Sequence, residues 1–468
     1  MNICRLSESL TQNATLIIPL FEGDLVPSDI SKSLNYDLSS DLNLTLGKEN
    51  VTFTMQKEIT NKMVFLGLGK PEDLRRAELR KTIGSLVAKE ENVCIWIDSL
   101  QNNVCDFHKA VFDVVYGIEY FSYEYAKENK KQVIYATDKD VVNEIEKALT
   151  MAKAINHART LGNTPSNFMH PKEFADDAVA LAKELGLDYE VLTNKELAEL
   201  GAGAILAVNQ GSAHEARLIT IWYHGNGNEP YTALVGKGIT FDAGGYNLKK
   251  ASSMSGMKLD MCGAANVLGA FEYIARTKQK VNVMAVIAAT ENMVSATSYT
   301  CDNVITSLSG KTIEITNTDA EGRLILCDAI TYAQRKGAKY IIDVATLTGA
   351  VVTALGKNYT GTFTNSSQFL EELNKAANYT EEKVWQLPLD EEMHNLITKS
   401  YVADMVNAIV DAKGGASLAA AFLEEFIEND TQWIHLDIAG TGDIKMDNGT
   451  KSATGAMVET LATMFTKQ

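Results

Sequence analysis

The stretch from Tyr231 to Lys249 reads YTALVGKGITFDAGGYNLK, and it joins an apolar strand to a glycine-rich loop. Lys237, Asp242 and Lys249 are the charged residues of this loop. In open α/β sheets, ligands bind at the carboxyl ends of the strands, and glycines let the backbone approach a ligand closely. The stretch therefore predicts an α/β fold with a charged binding site at the end of this strand.

A phosphate-binding loop is the first alternative for the glycine-rich segment. The chain lacks the pattern G-x-x-x-x-G-K-[ST] at this point, which is the pattern that cradles nucleotide phosphates. Asp242 would also repel a phosphate group held in the same loop. Phosphate binding is therefore the less favoured interpretation of this segment.

Further apolar runs alternate with helical stretches along the chain. Strands that alternate with helices are typical of βα units and a largely parallel sheet. The predicted fold class is therefore α/β, with a central, mostly parallel mixed sheet in the larger domain. The other runs interpreted as buried strands are Met63 to Leu68, Val93 to Ile97, Val281 to Ala288, Tyr340 to Val344 and Trp433 to Ile438.

The length of 468 residues favours two domains, because one ordinary core does not grow to this size. Apolar residues at helical spacing predict one long helix over Val141 to Thr160. Glycine, proline and asparagine in Leu161 to Asn167 then indicate a helix end and a turn. We predict a smaller N-terminal α/β domain at 1–140, a linker helix and turn at 141–167, and a larger C-terminal domain at 168–468.

The composition restricts partners and location. A formal net charge of −17 argues against nucleic acid as the main partner. No apolar run is long enough for a membrane span, and the N-terminus lacks the pattern of a secretory signal. The cysteines lack C-x-x-C spacing, so we expect reduced thiols in a cytoplasmic protein. These cysteines are Cys4, Cys94, Cys105, Cys262, Cys301 and Cys327.

Two carboxylates and a guanidinium alternate in Asn317 to Leu324, which reads NTDAEGRL. In an extended backbone, alternate side chains point the same way, so Asp319, Glu321 and Arg323 would lie on one side. Neighbouring carboxylates attract cations, and an arginine can bind an anion through two parallel hydrogen bonds. A solvated charged loop in front of a helix is the alternative when this segment is considered alone.

Asp260 lies at the start of a strongly apolar helix that we predict over about 257–277. Alone, it could stabilise the positive end of that helix dipole. With Asp242, Asp319 and Glu321 it makes four carboxylates near strand ends and helix starts. Without cations these groups would repel one another and raise one another's pKa values, whereas divalent metal ions favour such oxygen ligands. The set therefore predicts a two-metal site.

Together these motifs resemble those of the leucyl aminopeptidase family, the two-metal cytosolic aminopeptidases. The signature octapeptide at Asn317 is intact, and the loop Val235 to Lys249 matches in order and spacing. The resemblance extends from about Ala158 onward and is weak before it. It implies that 168–468 is a catalytic peptidase domain. Further matching segments are Met257 to Asp260, Asp343 to Ala350, Ser400 to Asn407 and His435 to Gly440.

The resemblance implies two divalent metal ions per subunit, Mn²⁺ or Zn²⁺ in the first place and Mg²⁺ or Co²⁺ as alternatives. A hydroxide that bridges the ions would be the nucleophile. Lys249 would stabilise charge at the reacting carbonyl, and Arg323 would hold a bicarbonate ion that acts as general base. The implied ligands are Lys237, Asp242, Asp260 and Glu321 for one ion, and Asp242, Asp319 and Glu321 for the other.

The implied reaction removes an N-terminal residue, preferably an apolar one such as leucine or methionine, from short peptides with a free N-terminus. The resemblance also implies a homohexamer with inward-facing active sites. The residues implied to line the pocket for the first side chain are Met257, Asn317, Thr346 and Gly349.

Two departures from the family pattern concern details around the site. Ala243 stands where the family commonly has serine, and Ala453 to Val458 is less polar than its family counterpart. Two alternatives remain open: a dipeptidase that acts on Cys-Gly in thiol turnover, and a regulatory homologue that keeps the fold without turnover. A zincin is excluded, because His214-Glu215 is not followed by histidine at the fourth position.

Overall fold

The computed structural model divides into two compact units, Met1–Lys153 and Ala154–Gln468. The helix Val142–Asn163 runs across this division. The predicted boundaries at 140 and 167 stay a prediction. The structure describes residues 2–9, 13–24, 26, 30, 49–54, 62–104, 106–127 and 131–466, with the backbone alone for 49–54.

The N-terminal unit contains a six-stranded sheet in the order β1-β6-β5-β2-β4-β3, in which every neighbouring pair is parallel except β3 and β4. Its strands are β1 (Asn2–Cys4), β2 (Thr15–Leu20), β3 (Glu49–Thr54), β4 (Lys62–Gly67), β5 (Asn92–Trp96) and β6 (Gln132–Ala136). Its helices are Leu6–Ser9, Arg76–Val87 and Phe107–Phe121, with short 3₁₀ helices at Pro71–Asp73 and Ile97–Leu100.

The C-terminal unit is built around an eight-stranded sheet, with a three-stranded and a two-stranded sheet beside it. Its strands are β7 (Asp188–Leu192), β8 (Arg217–His224), β9 (Tyr231–Asp242), β10 (Asn282–Asn292), β11 (Val304–Thr306), β12 (Thr312–Glu314), β13 (Ala338–Ala345), β14 (Thr360–Thr364), β15 (Val384–Gln386), β16 (Met405–Val406), β17 (Gln432–Asp437), β18 (Asp443–Lys445) and β19 (Lys451–Ala453). Its helices after Asn163 are Pro171–Leu185, Asn194–Leu200, Gly203–Asn209, Ala251–Met254, Cys262–Arg276, Gly322–Arg335, Gly349–Leu355, Ser367–Thr380, Glu391–Ile397, Gly415–Glu424 and Val458–Met464, with a 3₁₀ helix at Met257–Leu259.

The order of the large sheet is β15-β14-β17-β13-β9-β10-β8-β7, and its four central strands, β17, β13, β9 and β10, are mutually parallel. From β9 the chain passes through the helix Cys262–Arg276 to β10 on one side. It later returns through Gly322–Arg335 to β13 on the other side. The carboxyl ends of β9 and β13 therefore flank a topological switch point, which is where open α/β sheets bind ligands.

The two helices that connect these strands belong to the core. Nearly every residue of Cys262–Arg276 is buried, and so are the first twelve residues of Gly322–Arg335. Small residues allow this close packing: a Cβ on Gly263 would lie 2.2 Å from the carbonyl oxygen of Val344 in β13. The loops at the helix starts are consequently held against a rigid sheet.

The predicted α/β class with a mostly parallel mixed sheet is confirmed, and every run interpreted as a strand lies on one. The helix predicted over Val141 to Thr160 is observed at Val142–Asn163. Among the described residues, no helix is long and apolar enough to cross a membrane. The described cysteines are free thiols, and Cys105 lies outside the described residues.

Candidate active site

Strand β9 supplies two charged side chains to the switch point. Lys237 and Asp242 are five residues apart, so a regular strand would place them on opposite faces. The pairing of β9 with β10 shifts between Thr290 and Glu291, where Ile239 and Phe241 are the successive partners and Thr240 is the additional residue. Such a bulge reverses the side-chain alternation. Lys237 and Asp242 consequently line the same cavity.

The loop after β9 turns back sharply to bring Lys249 beside Asp242. Gly244 has a φ of +88°, and a Cβ there would lie 2.7 Å from Oδ1 of Asp319. The backbone amide of Gly244 donates to Oδ1 of Asp242 at 2.8 Å. Glycine at 244 therefore permits both the left-handed backbone and the close approach of the octapeptide.

The octapeptide is not extended, so the expectation based on strand alternation is wrong. Residues 318 and 319 form a turn, and the helix Gly322–Arg335 begins directly after Glu321. Asp319, Glu321 and Arg323 nevertheless line one cavity, because turn and helix start wrap around it. A Cβ on Gly322 would lie 2.6 Å from Cε of Lys237, so this glycine makes room for the lysine.

Asp260 also differs in detail from its prediction. It follows the 3₁₀ helix Met257–Leu259, and the long apolar helix begins only at Cys262. Its carboxylate accepts hydrogen bonds from Lys237 Nζ at 2.9 Å and from Thr346 Oγ1 at 2.7 Å. Asp260 therefore binds Lys237 in the charged cluster and does not cap the long helix.

The two lysines are each held between two carboxylates. Lys237 Nζ lies 2.8 Å from Oδ2 of Asp260 and 2.9 Å from Oε1 of Glu321. Lys249 Nζ lies 2.7 Å from Oδ2 of Asp242 and 2.6 Å from Oδ1 of Asp319. All five residues predicted as metal ligands thus belong to one cluster with Lys249.

Burial and mutual repulsion perturb the acids and bases of this cluster. Burial and the Asp242 carboxylate raise the pKa of Glu321, and they also raise the pKa of Asp319. Burial raises the pKa of Asp260 as well, against the opposing effect of Lys237. Burial alone would lower the pKa of Lys237, but Asp260, Glu321 and Asp242 outweigh it and raise that pKa.

The donor set fits divalent cations. One carboxylate oxygen from each of Asp242, Asp319 and Glu321 lies within 4.8 Å of the others. Oε2 of Glu321 is buried without a hydrogen-bond partner among the described residues. Buried carboxylate oxygens that are close together and unsatisfied are stabilised by a metal ion, which supplies the missing positive charge. The residues present therefore suit the metal ions that the sequence predicts.

Arg323 supplies a cation to the same cavity. Its side chain is buried, and Nη1 donates to the carbonyl oxygen of Asn407 at 2.8 Å. Its Nε has no hydrogen-bond partner in the part of the chain that the structure describes. Burial lowers the pKa of Arg323 to about 10, which is the electrostatic cost of a buried cation and is relieved by a bound anion.

These groups open into a cavity of about 570 Å³, and the four residues predicted for the substrate pocket all line it: Met257, Asn317, Thr346 and Gly349. Leu347, Ala350 and Leu418 add an apolar part to the wall. None of the described residues of 453–458 belongs to the lining, although Lys451 does. The unusual composition of 453–458 therefore lies outside the cavity wall.

Three residues that position the site were not identified from the sequence. Asn292 donates to Oδ1 of Asp242 at 2.9 Å and to the carbonyl oxygen of Thr318 at 3.0 Å. Thr318 Oγ1 donates to the carbonyl oxygen of Gly244 at 2.7 Å. Asn407 Nδ2 donates to the carbonyl oxygen of Asn317 at 2.7 Å. The sequence signals were the position of Thr318 inside the octapeptide Asn317 to Leu324 and that of Asn407 at the end of the matching segment that starts at Ser400.

Comparison with known proteins identifies the family. The model of the cytosol aminopeptidase family, catalytic domain, matches residues 156–462. The solved structure of the bottromycin maturation enzyme BotP in complex with Mn is similar over 97% of this chain and 99% of that chain, with 27% sequence identity and a TM-score of 0.86. The charged cluster therefore lies within the part of the chain that matches the catalytic domain, and the chain belongs to the cytosol aminopeptidase family.

Proposed function

We propose that the chain is a two-metal aminopeptidase that removes an apolar N-terminal residue from short peptides. The observation that carries this proposal is the cluster of Lys237, Asp242, Asp260, Asp319 and Glu321 beside Lys249 in one cavity. Buried carboxylates outnumber the cations in this cluster, as a site for divalent ions requires.

One ion would be held by Lys237, Asp242, Asp260 and Glu321, and the other by Asp242, Asp319 and Glu321. When bound, two such ions lower the pKa of water and polarise the carbonyl of the scissile bond. Lys237 must give up a proton before Nζ can act as a ligand, so ion binding releases a proton from this site. Mn²⁺ and Zn²⁺ are the first candidates, and Mg²⁺ and Co²⁺ the second.

Lys249 remains the positive group of the site. Burial lowers its pKa, but Asp242, Glu321 and Asp319 raise it by a larger amount. A protonated Nζ at the edge of the cavity can donate a hydrogen bond to an oxygen that gains negative charge. We assign Lys249 this role at the carbonyl oxygen of the substrate.

Arg323 is assigned the binding of a bicarbonate ion. Its unpartnered Nε and its burial support an anion of small size. A planar oxyanion can accept two parallel hydrogen bonds from a guanidinium group. A bicarbonate ion held there by Arg323 would supply a general base for the proton transfers of hydrolysis.

The apolar wall of the cavity supports a preference for leucine-like or methionine-like first residues. Met257 and Thr346 would contact the side chain, and Asn317 would lie beside the peptide backbone. A Cβ on Gly349 would have no neighbouring atom within 4 Å, so this position leaves space for a substrate side chain. The preference is modest, because one methylene in such a pocket changes binding by about 1–3 kcal/mol.

The decisive experiment strips the enzyme of metal and restores one ion type at a time. Activity on a panel of aminoacyl substrates should vanish on stripping and return with Mn²⁺ or Zn²⁺. Persistent activity in metal-free buffer would contradict the two-metal site. A panel in which Cys-Gly is cleaved far better than leucyl peptides would favour the thiol-turnover dipeptidase. No turnover with any ion would favour a regulatory homologue.

We also propose a cytoplasmic homohexamer with inward-facing sites. Tyr401, Val402 and Val410 are exposed apolar residues, and exposed apolar side chains are common at protein interfaces. The scattered thiols support a reducing compartment. Light scattering should give a hexameric mass, and a stable, active monomer would contradict this assembly.

A further inference from the structure

Two histidines and a glutamate meet outside the cavity described above. His170 directly precedes the helix Pro171–Leu185, and His214 lies in the loop before β8. Glu291 is the penultimate residue of β10. None of the three lines the active-site cavity. We name this group the histidine cluster.

The side chains of the histidine cluster are in direct contact. Nδ1 of His170 lies 3.0 Å from Oε1 of Glu291, and the two imidazole rings stack with centroids 3.7 Å apart. One nitrogen or oxygen atom from each residue lies within 4.8 Å of the others. A tetrahedral site with bonds of about 2.0–2.1 Å has its ligand atoms a little over 3 Å apart. Small rotations of the side chains therefore bring all three to bonding distance.

A hydrogen bond from Ser212 holds the Glu291 carboxylate of the histidine cluster in place. Glu291 is 4% exposed, and its Oε2 accepts a hydrogen bond from Ser212 Oγ at 2.6 Å. The same hydroxyl accepts from the backbone amide of His214 at 2.9 Å. Ser212 therefore fixes both a carboxylate oxygen and the loop that carries a histidine. Partners of this kind orient the ligands of metal sites.

A second hydrogen-bonded residue anchors the loop. Asn209 is buried, and its Nδ2 donates to the carbonyl oxygen of His214 at 2.8 Å and to Oγ1 of Thr290 at 2.9 Å. Thr290 precedes Glu291 in β10, so one amide group ties the loop to the strand that bears the carboxylate. The histidine cluster is thus organised by the fold before any ligand arrives.

The chemistry of the histidine cluster suits a transition metal. Among the described residues, no lysine or arginine forms an ion pair with Glu291. The neutral imidazole ring is the form of histidine that binds metal. Two imidazoles and one carboxylate leave a fourth position for water, and this ligand type suits zinc and its neighbours rather than calcium or magnesium.

We propose that His170, His214 and Glu291 bind a Zn²⁺ ion, distinct from the ions of the active site. His214 is exposed, which gives the ion access from solvent. The ion would join the start of the helix Pro171–Leu185, the loop before β8 and the end of β10. This third site does not depend on the proposed function, because its ligands are separate from those of the catalytic cluster.

Anomalous diffraction at the zinc absorption edge tests the proposal directly. Crystals of the full chain grown with Zn²⁺ should show a peak between the three side chains, and crystals of His214→Ala should lack it. Peaks at Asp319 and Glu321 serve as an internal standard for metal loading in both crystals. Loaded peaks there without one at His170 in the wild type would overturn the third site and leave the proposed function intact.

A measurement in solution separates specific binding from binding at crystal concentration only. After dialysis against low micromolar free Zn²⁺, the wild type should hold one more ion per chain than His214→Ala, measured by mass spectrometry of the metal. His224→Ala is the matched control, because His224 is an exposed histidine that contacts Asp188 and Tyr231 and lies outside the histidine cluster. Equal zinc content in the wild type and His214→Ala, or equal losses in both variants, would overturn the proposal.

Discussion

Each unit of the molecule contains a cluster of buried charged side chains. Cations outnumber carboxylates in the cluster of the N-terminal unit, and carboxylates outnumber cations in that of the C-terminal unit. In the N-terminal unit, Asp113 accepts hydrogen bonds from Arg76 Nε at 2.8 Å and from Arg80 Nε at 2.7 Å. All three side chains are buried. In the C-terminal unit, the cations Lys237 and Lys249 face a larger number of carboxylates.

This difference in the ratio of cations to carboxylates separates a charge cluster that stabilises the fold from a cluster that needs a bound cation. Both carboxylate oxygens of Asp113 accept hydrogen bonds from guanidinium groups, and the centre of the Tyr116 ring lies 4.0 Å from the guanidinium of Arg80, so the carboxylate of this cluster is satisfied without a further ligand. In the active site, by contrast, an oxygen of Glu321 has no partner in the described structure. An excess of buried negative charge is costly to folding unless a cation offsets it.

The largest expected effect is on activity, from Glu321→Ala. Hydrolysis of a leucyl substrate should fall about a thousandfold or more, because a catalytic metal ion contributes several kcal/mol to the transition state. The protein should remain folded, since the substitution removes one of several mutually repelling acids. Steady-state kinetics and circular dichroism measure the two quantities.

The same variant separates loss of metal from loss of fold. A ligand that binds only the native state raises the melting temperature, so a chelator should lower the melting temperature of the wild type by more than that of Glu321→Ala, in which only the ion proposed for the histidine cluster remains to be removed. Equal decreases in both proteins would contradict the placement of the ions at this cluster.

The next effect is on stability, from Asp113→Ala in the N-terminal unit. It should reduce the free energy of unfolding by about 3–5 kcal/mol, since it leaves two buried guanidinium groups without their carboxylate. Urea denaturation measures the change. Glu124→Ala is the control, because Glu124 pairs with Lys127 in an exposed position and should change stability little. Similar losses for the two variants would refute a special role for the buried cluster.

Lys249→Ala should have a smaller effect, confined to the catalytic step. We expect kcat to fall about a hundredfold with little change in KM, because a hydrogen bond to developing charge is stronger in the transition state than in the ground state. Steady-state kinetics on the metal-loaded enzyme provide both constants. A rise in KM at constant kcat would show that Lys249 binds substrate instead.

The smallest effect concerns pH and a third, partly exposed charge cluster around His157. His157 lies between Asp177 and Glu272, at 2.7 and 2.6 Å. Burial lowers its pKa, but the two carboxylates outweigh burial and raise the pKa to about 10. Its stabilising contribution is therefore complete below the ordinary histidine pKa of about 6.5 and is lost as pH rises through 10.

A comparison of the wild type with His157→Gln tests whether the stabilising contribution of His157 falls as pH rises. The wild type should be more stable by about 1 kcal/mol at pH 6, since glutamine keeps part of the hydrogen bonding. Urea denaturation at a series of pH values should show the gap close towards pH 10. A gap that widens with rising pH would contradict the assignment of a charged histidine.

The sequence allowed the prediction of what depends on local pattern. Apolar runs in the sequence predict buried strands. The run Tyr340 to Val344 lies within two residues of the observed bounds of β13, Ala338–Ala345. The four acids were predicted to form a metal site from their chemistry and their positions near strand ends and helix starts, whereas the roles of Lys237 and Lys249 came only from the family resemblance. Strand periodicity did not place them, because a regular β9 would put Lys237 and Asp242 on opposite faces.

The geometry within the site could not be predicted in the same way. The extended conformation expected for Asp319 to Arg323 was wrong, because tertiary contacts of Thr318 and Asn317 impose a turn there. No local sequence pattern marks Asn292 or Asn407 as part of the site. Their roles depend on long-range hydrogen bonds, from Asn292 to Asp242 and from Asn407 to Asn317. The histidine cluster joins residues more than forty positions apart, and no spacing rule connects them.

The additional residue at Thr240 makes the active site sensitive to strand length as well as to residue type. Deleting Thr240 together with the bulge would leave Lys237 and Asp242 four residues apart and on one face, whereas inserting one residue before Asp242 without a second bulge would turn Asp242 away from Lys237. A relative of the same length but without the bulge could keep every ligand in its sequence and still lack a metal centre. Insertions and deletions in β9 are thus as informative about activity across homologues as substitutions of the ligands themselves.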